Sequence, residues 1–453
     1  MDSQAMYDES AARAIAEHVL QRSPADQTEV VLWAERSQLT RFANNTIHQH
    51  VAEEDAQVTV RAVFGRRVGV ASGNQLDPAS LDEVVDRAAT IARVQPENPA
   101  FESLPAPEIW ERTDAYREST VTCTPQRRAE SVAAITDAAA AAGLQAAGAF
   151  GTEAVTLAVA NSLGTWAYHP FTVADLHAVA MDDGASGYAT TAGIDVDALD
   201  AGAVAAAAVD RAVRSRHPRA IEPGEYEVLL EPPAVAELLD YTAYAGLSGL
   251  SVLEERSFLN ELQGQRALDP KLSIWDDGHD RSGIPIPFDF EGVPKRRVLF
   301  VDRGTLREPV YDSVTGRRAG VRSTGHALPA PNTYGPLPMH LVMGAGDHTR
   351  DEMIAGIERG LWITRFWYVN IVHPLTVTLT GTTRDGTFLI ENGEVVGPVE
   401  NLRFTQSVLH AFKDVPMIGR DRQLIRGWFG GAVVPTLRLA RFTFSGGSAE
   451  GGT

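Results

Sequence analysis

Residues 217–224, which read His-Pro-Arg-Ala-Ile-Glu-Pro-Gly, divide the chain into two parts with different secondary-structure patterns. Two prolines and a glycine interrupt helix and strand patterns alike. Before this segment helical and strand patterns mix, and after it strand patterns dominate. At 453 residues the chain is also too long for one ordinary hydrophobic core. We therefore predict an N-terminal domain over residues 1–220, a C-terminal domain over residues 221–445, and a glycine- and serine-rich disordered tail over residues 446–453.

Three helix starts are predicted from capping patterns. Ser80 and Thr349 are each followed three residues later by a glutamate, which is typical of a capping box. Thr124 is followed by a proline, and proline suits the first turn of a helix. These patterns place helices in both predicted domains.

Charge and composition exclude several function classes. The chain has 40 Lys+Arg against 59 Asp+Glu, a formal charge of −19, and such a surface repels phosphate backbones. No run of about 18 apolar residues predicts a membrane span. The first ten residues are polar and acidic, unlike a secretory signal, and the single cysteine, Cys123, rules out an intrachain disulfide. We therefore expect a cytoplasmic protein without nucleic-acid or membrane partners.

Residues 238–249 read Leu-Leu-Asp-Tyr-Thr-Ala-Tyr-Ala-Gly-Leu-Ser-Gly. Together with four other stretches in fixed order, this segment resembles the TldD/PmbA family of metallopeptidases, in which PmbA is also called TldE. The resemblance covers nearly the whole chain. The other stretches are residues 41–49; 159–164 with 186–188; 276–278 through 288–294; and 380–386 with 390–394.

The resemblance implies a zinc-dependent peptidase built as a heterodimer. Its TldD-like subunit would hold zinc with a His-Glu-x-x-x-His segment and a late cysteine. In this chain Asp240 stands for the first histidine, Tyr241 for the glutamate and Ala245 for the second histidine. Zinc needs imidazole or thiolate ligands, and hydrolysis needs a carboxylate base. The chain is therefore identified as TldE-like, with no catalytic residue and no metal of its own, and zinc is expected in a TldD-like partner.

The resemblance also implies a fold. It predicts an α+β protein with a mixed α/β N-terminal domain and a C-terminal domain of bent antiparallel sheets around a cavity, with few helices. The distribution of strand and helix patterns on the two sides of residues 217–224 agrees with that expectation.

Four side chains are candidates for lining a peptide groove or cavity. His326 lies in a loop of prolines and small residues, and an ordinary rigid loop is the alternative. Arg365 and Trp367 belong to the aromatic-rich segment 361–370, and Arg403 completes the set. Strand alternation would give segment 361–370 two bulky faces, one for the core and one for a partner, a cavity wall or a second layer. The predicted faces are Trp362, Thr364, Phe366 and Tyr368 on one side, and Ile363, Arg365, Trp367 and Val369 on the other.

The leading hypothesis is a non-catalytic subunit that completes the peptide-binding cavity of a zinc peptidase complex acting on leader peptides or unfolded polypeptides. An extended peptide can pair with a sheet edge through main-chain groups alone, so this role does not need catalytic side chains. Two alternatives stay open. One is a homo-oligomer that binds peptides or a small molecule without hydrolysis. The other is an enzyme with a non-zinc site that uses His326, Asp240 or Asp347.

Overall fold

The computed structural model describes residues 5–427 and 430–447 and has the predicted α+β architecture. The N-terminal half contains one six-stranded antiparallel sheet and its helices. Its strands are β1 (Gln27–Ala43), β2 (Thr46–Phe64), β3 (Arg67–Gly73), β4 (Gln145–Asn161), β5 (Trp166–Asp182) and β6 (Ala185–Gly193). Its helices are α1 (Glu9–Arg22), α2 (Pro78–Val94), α3 (Glu118–Val121), α4 (Pro125–Ala141) and α5 (Ala201–Arg214), with a 3-10 turn at Val196–Ala198.

The N-terminal sheet consists of two similar halves. Its strand order is β3-β2-β1-β4-β5-β6, and each half runs helix, three strands, helix, from α1 to α2 and from α4 to α5. The closing helices lie directly on a glycine of the neighbouring edge strand. A Cβ at Gly69 would approach Ala92 N to 2.2 Å, and one at Gly187 would approach Ala208 O to 2.2 Å. Small residues on both sides of the contact explain why these helices are rich in alanine.

Both faces of the central strands are buried, each against a different part of the protein. On β1, Val30 and Leu32 pack in the cluster that contains helices α1 and α2. The intervening Val31 packs in a cluster with Phe288 of the C-terminal half, and Trp33 lies beside it. The period of two along a strand therefore assigns one face to the helices and the other to the second domain.

The C-terminal half contains an eleven-stranded sheet. Its strands are β7 (Gly224–Leu230), β8 (Ile274–Asp276), β9 (Val298–Asp302), β10 (Thr305–Leu306), β11 (His340–Met343), β12 (Arg359–His373), β13 (Thr378–Glu391), β14 (Glu394–Pro398), β15 (Leu402–Ser407), β16 (Met417–Gly427) and β17 (Gly430–Gly447). Its helices are α6 (Pro232–Gly246), α7 (Gly249–Leu253), α8 (Leu259–Leu262), α9 (Ser313–Ala319), α10 (Arg350–Ala355) and α11 (Val408–Ala411), with a 3-10 turn at Pro374–Thr376.

Five strands of this sheet close into a ring, because β17 pairs with β7 as well as with β15. The ring runs β17-β15-β13-β12-β7, and its β12–β7 pair is parallel. Phe366, Phe404, Phe442 and Phe444 come from three of its strands, contact one another and are at most 4% exposed. A ring this small is filled by its own side chains. It therefore encloses packed aromatics.

The predicted helix starts are confirmed at two of three positions. Thr124 caps α4, and Thr349 caps α10 in a capping box with Glu352. The start at Ser80 is wrong, because α2 begins at Pro78 and Asp77 accepts the hydrogen bond from the Ser80 amide. Aspartate followed by proline at the first helical position outcompetes the later serine.

The predicted domain boundary between residues 220 and 221 falls in the connection from α5 to β7. Of the predicted tail, residues 448–453 lie outside the described residues, while β17 continues to Gly447 and so includes the first two residues of that segment. Within residues 5–427 and 430–447, no helix is long and apolar enough to cross a bilayer.

Candidate functional site

Helix α6, which carries the positions of the zinc-ligand resemblance, is held at its first turn by both halves of the protein. Pro232 occupies the first turn, where its missing N–H costs nothing. Glu231, which precedes it, accepts hydrogen bonds from Trp362 Nε1 and Arg211 Nη2, each at 2.9 Å. Arg211 belongs to α5 of the N-terminal half, so the ion pair fixes the direction of α6 relative to the other domain.

Asp240 and Glu237 form an acidic pair on the accessible side of α6. Burial, followed by repulsion from Glu237, raises the pKa of Asp240 to about 7. Burial also raises the pKa of Glu237, while Arg365 acts in the opposite direction. A Cβ at Gly427 would come within 2.1 Å of Asp240 Oδ2, so the end of β16 lies directly against this carboxylate. The groove between helix and strand is lined by Pro233, Ala236, Glu237, Asp240, Ile425, Arg426 and Gly427.

The other two positions of the resemblance point into the protein. Tyr241 Oη donates a 2.5 Å hydrogen bond to the Val369 carbonyl, which ties α6 to β12. Ala245 is 5% exposed and packs in the main C-terminal core. Zinc takes three or four imidazole, thiolate or carboxylate ligands. Of the three positions, only Asp240 offers such a ligand, because the Tyr241 hydroxyl is hydrogen-bonded to a main-chain carbonyl and Ala245 has only a methyl group, so the set cannot bind zinc. Among the described residues, no group of three or more His, Cys, Asp or Glu side chains could hold a metal ion.

Arg365, Trp367 and Arg403 lie on one outer face of the sheet formed by β12, β13 and β15. Trp367 pairs with Thr382, which in turn pairs with Arg403. The Arg365 guanidinium lies 5.1 Å from the Trp367 ring centroid and also binds Asp385. The structure thus brings three of the four groove candidates together beside the first domain.

The predicted alternation along segment 361–370 is wrong beyond Ile363. The pairing of β12 with β13 shifts between Ile363 and Arg365, where Thr364 lies opposite both Asp385 and Gly386, so the extra residue of this irregularity is on β13. As a result Phe366 packs in the same core as Ile363, while Trp367 is 44% exposed. A β-bulge reverses which face each following side chain takes, and periodicity alone does not locate it.

His326 is buried in the interior of the C-terminal half. It is 1% exposed, and its Nε2 and Nδ1 lie 2.9 Å from Asp276 Oδ1 and Thr324 Oγ1. With both ring nitrogens engaged, it fixes the loop after Thr324 and is not available to a peptide. The expectation that His326 lines a peptide groove is therefore corrected.

Asp276 is the centre of a buried polar network that was not predicted from the sequence. Its Oδ2 accepts hydrogen bonds from the Met339 and His340 amides at 2.9 and 2.7 Å. Although burial opposes ionisation, His326 and Lys295 hold the pKa of this carboxyl well below its usual range. Lys295 Nζ donates to the Gly325 carbonyl at 3.0 Å. The network joins β8, β11 and two loops, and only the acid-rich stretch 276–278 hinted at it in the sequence.

Arg426 connects the α6 groove to the N-terminal half. Its Nη1 donates to Glu153 Oε1 at 2.9 Å and to Asp175 Oδ1 at 2.8 Å. The same side chain also lines a cavity between the two halves, opposite Trp33. No short motif marks these residues, because they come from β1, β4, β5 and β16 and meet only in the folded chain.

Comparisons with known proteins give a consistent family match. A model of the PmbA/TldA metallopeptidase C-terminal domain matches residues 223–446, and a model of domain 1 of the same family matches residues 29–92. Together the two matches cover more than half of the chain. Because the larger match contains α6 and the ring strands, it includes the candidate site.

Individual relatives agree with the family match. A metalloprotease TldD homolog from Buchnera aphidicola is 26% identical over 213 residues, 45% of this chain and 42% of the relative. Metalloprotease PmbA from Escherichia coli O157:H7 is 26% identical over 200 residues, 43% of this chain and 41% of the relative. Each alignment therefore spans less than half of the relative's own length.

The fold also matches a solved structure. The crystal structure of TldE from Thermococcus kodakarensis superposes with a TM-score of 0.88, covering 96% of this chain and all of the other. Its sequence identity is 20%, so the likeness concerns the fold.

Proposed function

Because the chain belongs to the TldD/PmbA family of metallopeptidases, we propose that it is a non-catalytic, TldE-like subunit of a cytoplasmic zinc peptidase complex that processes or degrades peptides. A TldD-like subunit would form a heterodimer with it and supply the zinc ion and the general base. Leader peptides and unfolded polypeptides are the proposed substrates.

One observation carries this proposal. At the three positions of α6 where the family resemblance expects ligands and base, the chain presents Asp240, Tyr241 and Ala245. Tyr241 is bound to a main-chain carbonyl, and Ala245 is buried without a donor atom. Hydrolysis through zinc would therefore require a second chain.

The last part of β16 supports a role in peptide binding. Among the described residues β17 is the only strand that pairs with β16, although residues 418–420 are also bridged to the segment around His348. The opposite end of β16, at Gly427, lies beside the groove lined by Glu237 and Asp240. An extended peptide pairs with such an edge through main-chain hydrogen bonds. The groove and the strand edge could therefore hold a substrate while the partner cleaves it.

Co-expression tests the proposal. The chain is produced alone and together with a TldD-like protein from the same genome, and complex mass, zinc content and peptide hydrolysis are measured. We expect a stable mixed complex with chelator-sensitive hydrolysis, and neither zinc nor hydrolysis for the chain alone. A chain that never forms the mixed complex, or that binds zinc and cleaves peptides by itself, would contradict the proposal.

A further inference from the structure

A cavity of about 170 Å³ lies between the two halves of the protein. Strands β4 and β5 form one wall, and the segment 277–286 with strands β11 and β17 forms the other. It is distinct from the α6 groove, although Arg426 borders both. Its lining combines an apolar interior with charged groups at the rim.

The apolar interior exists because two small hydrophobic clusters face each other without filling the space between them. One contains Val155, Phe171 and Val173 of the N-terminal half. The other contains Val342 and Val433 of the C-terminal half. Apolar cavities of about 150 Å³ in proteins bind a molecule the size of benzene. The cavity is therefore large enough for one bulky apolar side chain.

The rim of the cavity is acidic. Glu153, Asp277 and Asp280 line it together with one guanidinium, that of Arg426. Arg426 is already paired with Glu153, which lines the cavity, and with Asp175, which does not. The lining therefore keeps an excess of negative charge that no group among its own residues neutralises. An ammonium group would be attracted to this rim.

His340 adds an acceptor to the cavity. It is 9% exposed, and its buried Nδ1 has no hydrogen-bond partner, with Asp276 Oδ1 at 3.9 Å. Burial, with a further contribution from Lys295, lowers the pKa of His340 to about 3, so the ring is neutral at physiological pH. A proton on Nδ1 faces the Asp276 carboxylate, which leaves Nε2 as the acceptor available to a bound donor. Among the described residues no hydrogen bond occupies Nε2, so this nitrogen can accept one from a bound donor.

We propose that this cavity binds an ammonium group carried by a bulky apolar side chain, as found at the free amino terminus of a peptide whose first residue is hydrophobic. The apolar side chain enters between Phe171 and Val433, and the ammonium group donates to His340 Nε2 and to the rim carboxylates. The choice of a peptide over another amine rests on the proposed function.

Calorimetric titration of the purified full chain tests the site. The probes are Phe-Gly-Gly amide, its N-acetyl form, Gly-Gly-Gly amide and phenethylamine. We expect the free-amine phenylalanyl peptide to bind at least about tenfold more tightly than the acetylated peptide, which lacks the charge, and the glycyl peptide, which lacks the apolar group. Equal binding of all three peptides, or no saturable binding, would overturn the site. If phenethylamine bound tightly and none of the peptides bound, the cavity would be a site for small free amines, and the proposal that it binds a peptide amino terminus would be wrong.

A cavity-filling variant gives a second readout. A Cβ at Gly283 would meet Val433 Cγ2 at 3.5 Å and Asp280 O at 3.7 Å, both ordinary contacts, so Gly283→Leu should fill the cavity without displacing the backbone. The matched control is Gly446→Leu, where an added Cβ meets nothing within 4 Å. We expect Gly283→Leu to weaken binding of Phe-Gly-Gly amide about tenfold or more, and Gly446→Leu to leave it unchanged. Unchanged binding in Gly283→Leu would place the ligand elsewhere.

His340→Phe tests the acceptor by replacing the imidazole with an aromatic ring that cannot accept a hydrogen bond through nitrogen. The His340 amide still donates to Asp276, so the main-chain part of the network stays in place. We expect the variant to lose the preference for the free amine over the acetylated peptide, and a retained preference would contradict the role of Nε2. These titrations need no partner chain. Their failure is therefore distinguishable from failure of the heterodimer, which is measured by co-purification.

Discussion

Two arginines join the same two domains, and each lies between two carboxylates, yet their surroundings differ. Arg61 binds Glu29 of its own domain and Glu291 of the other, and all three side chains are at most 11% exposed. Arg426 binds Glu153 and Asp175, and its side chain is 36% exposed. The first cluster is sealed between the domains and the second borders the cavity.

The difference in burial decides what each cluster can do. Burial raises the pKa of Glu29 to about 7, even though Arg61 opposes the shift. The pKa of Arg61 is also raised, because the attraction of the two glutamates outweighs its desolvation. Removing one partner from such a buried cluster strongly lowers the free energy of unfolding, and a ligand cannot reach it. The cluster around Arg426 keeps contact with solvent, so a charged ligand can reach it at little cost.

The largest expected effect is that of Arg61→Met. The change leaves Glu29 and Glu291 buried beside each other without a cation, and one of them must take up a proton or the interface must open. We expect the free energy of unfolding, measured by urea denaturation at pH 7.5, to fall by about 3–5 kcal/mol.

Arg426→Met is the matched control for that variant, since it removes the same charge from between two carboxylates of the same domain interface. Partly exposed ion pairs contribute little, so we expect a loss of at most about 1 kcal/mol. Equal losses in the two variants would show that burial does not separate the two clusters.

The next effect concerns the pH dependence of stability. Between about pH 4.5 and 7 the unfolded chain loses the Glu29 proton while the folded chain keeps it, since the folded pKa is raised to about 7. The contribution of Glu29 to the free energy of unfolding therefore falls as pH rises through this range and is constant above it. At about 1.4 kcal/mol per pKa unit, the change is on the order of 1–3 kcal/mol. Glu29→Gln should flatten the pH profile measured by denaturation between pH 4.5 and 8.

Glu153→Gln serves as the comparison for the pH experiment, because Glu153 holds the corresponding place beside Arg426 and is 24% exposed. We expect its pH profile to follow that of the unmodified chain. If the free energy of unfolding of Glu29→Gln changed with pH in parallel with that of the unmodified chain, the pH dependence would come from other buried carboxyl groups. Asp289 is one of them, because burial raises its pKa to about 7 as well.

The sequence predicted those features that depend on neighbouring residues. The caps at Thr124 and Thr349 and the α6 segment all have local patterns, and the structure contains each of them. The α+β class and the family followed from five short stretches in order. These features are accessible because helix caps and strand periods act over a few residues.

The missed features depend on residues that are distant in the sequence. Arg61 and Glu291 are 230 positions apart, and no pattern in either segment indicates the other. His326 has the composition of a loop around it, but its ring meets Asp276 from 50 positions away and becomes buried. The register shift opposite Thr364 comes from an extra residue in β13, so the face of Phe366 could not be assigned from β12 alone. In each case, contacts between residues distant in the sequence determined where the side chain lies and whether it is buried.

The smallest expected effect comes from two hydrogen bonds of equal length, one buried between the domains and one exposed. Comparing their loss tests whether burial or bond length sets the contribution to stability. Ser186 Oγ and Ser282 Oγ each donate a 2.6 Å hydrogen bond to an aspartate, but Ser186 reaches the buried Asp385 of the other domain, whereas the exposed Ser282 reaches the nearby, half-buried Asp280. Ser186→Ala leaves Asp385 its ion pair with Arg365 and removes one charge-assisted donor, so we expect a loss of about 1 kcal/mol in the free energy of unfolding. In Ser282→Ala water replaces the lost donor, and the loss should stay within a few tenths of a kcal/mol. If urea denaturation gave the two variants equal losses, bond length and not burial would set these energies, and the contrast between the Arg61 and Arg426 clusters would need another cause.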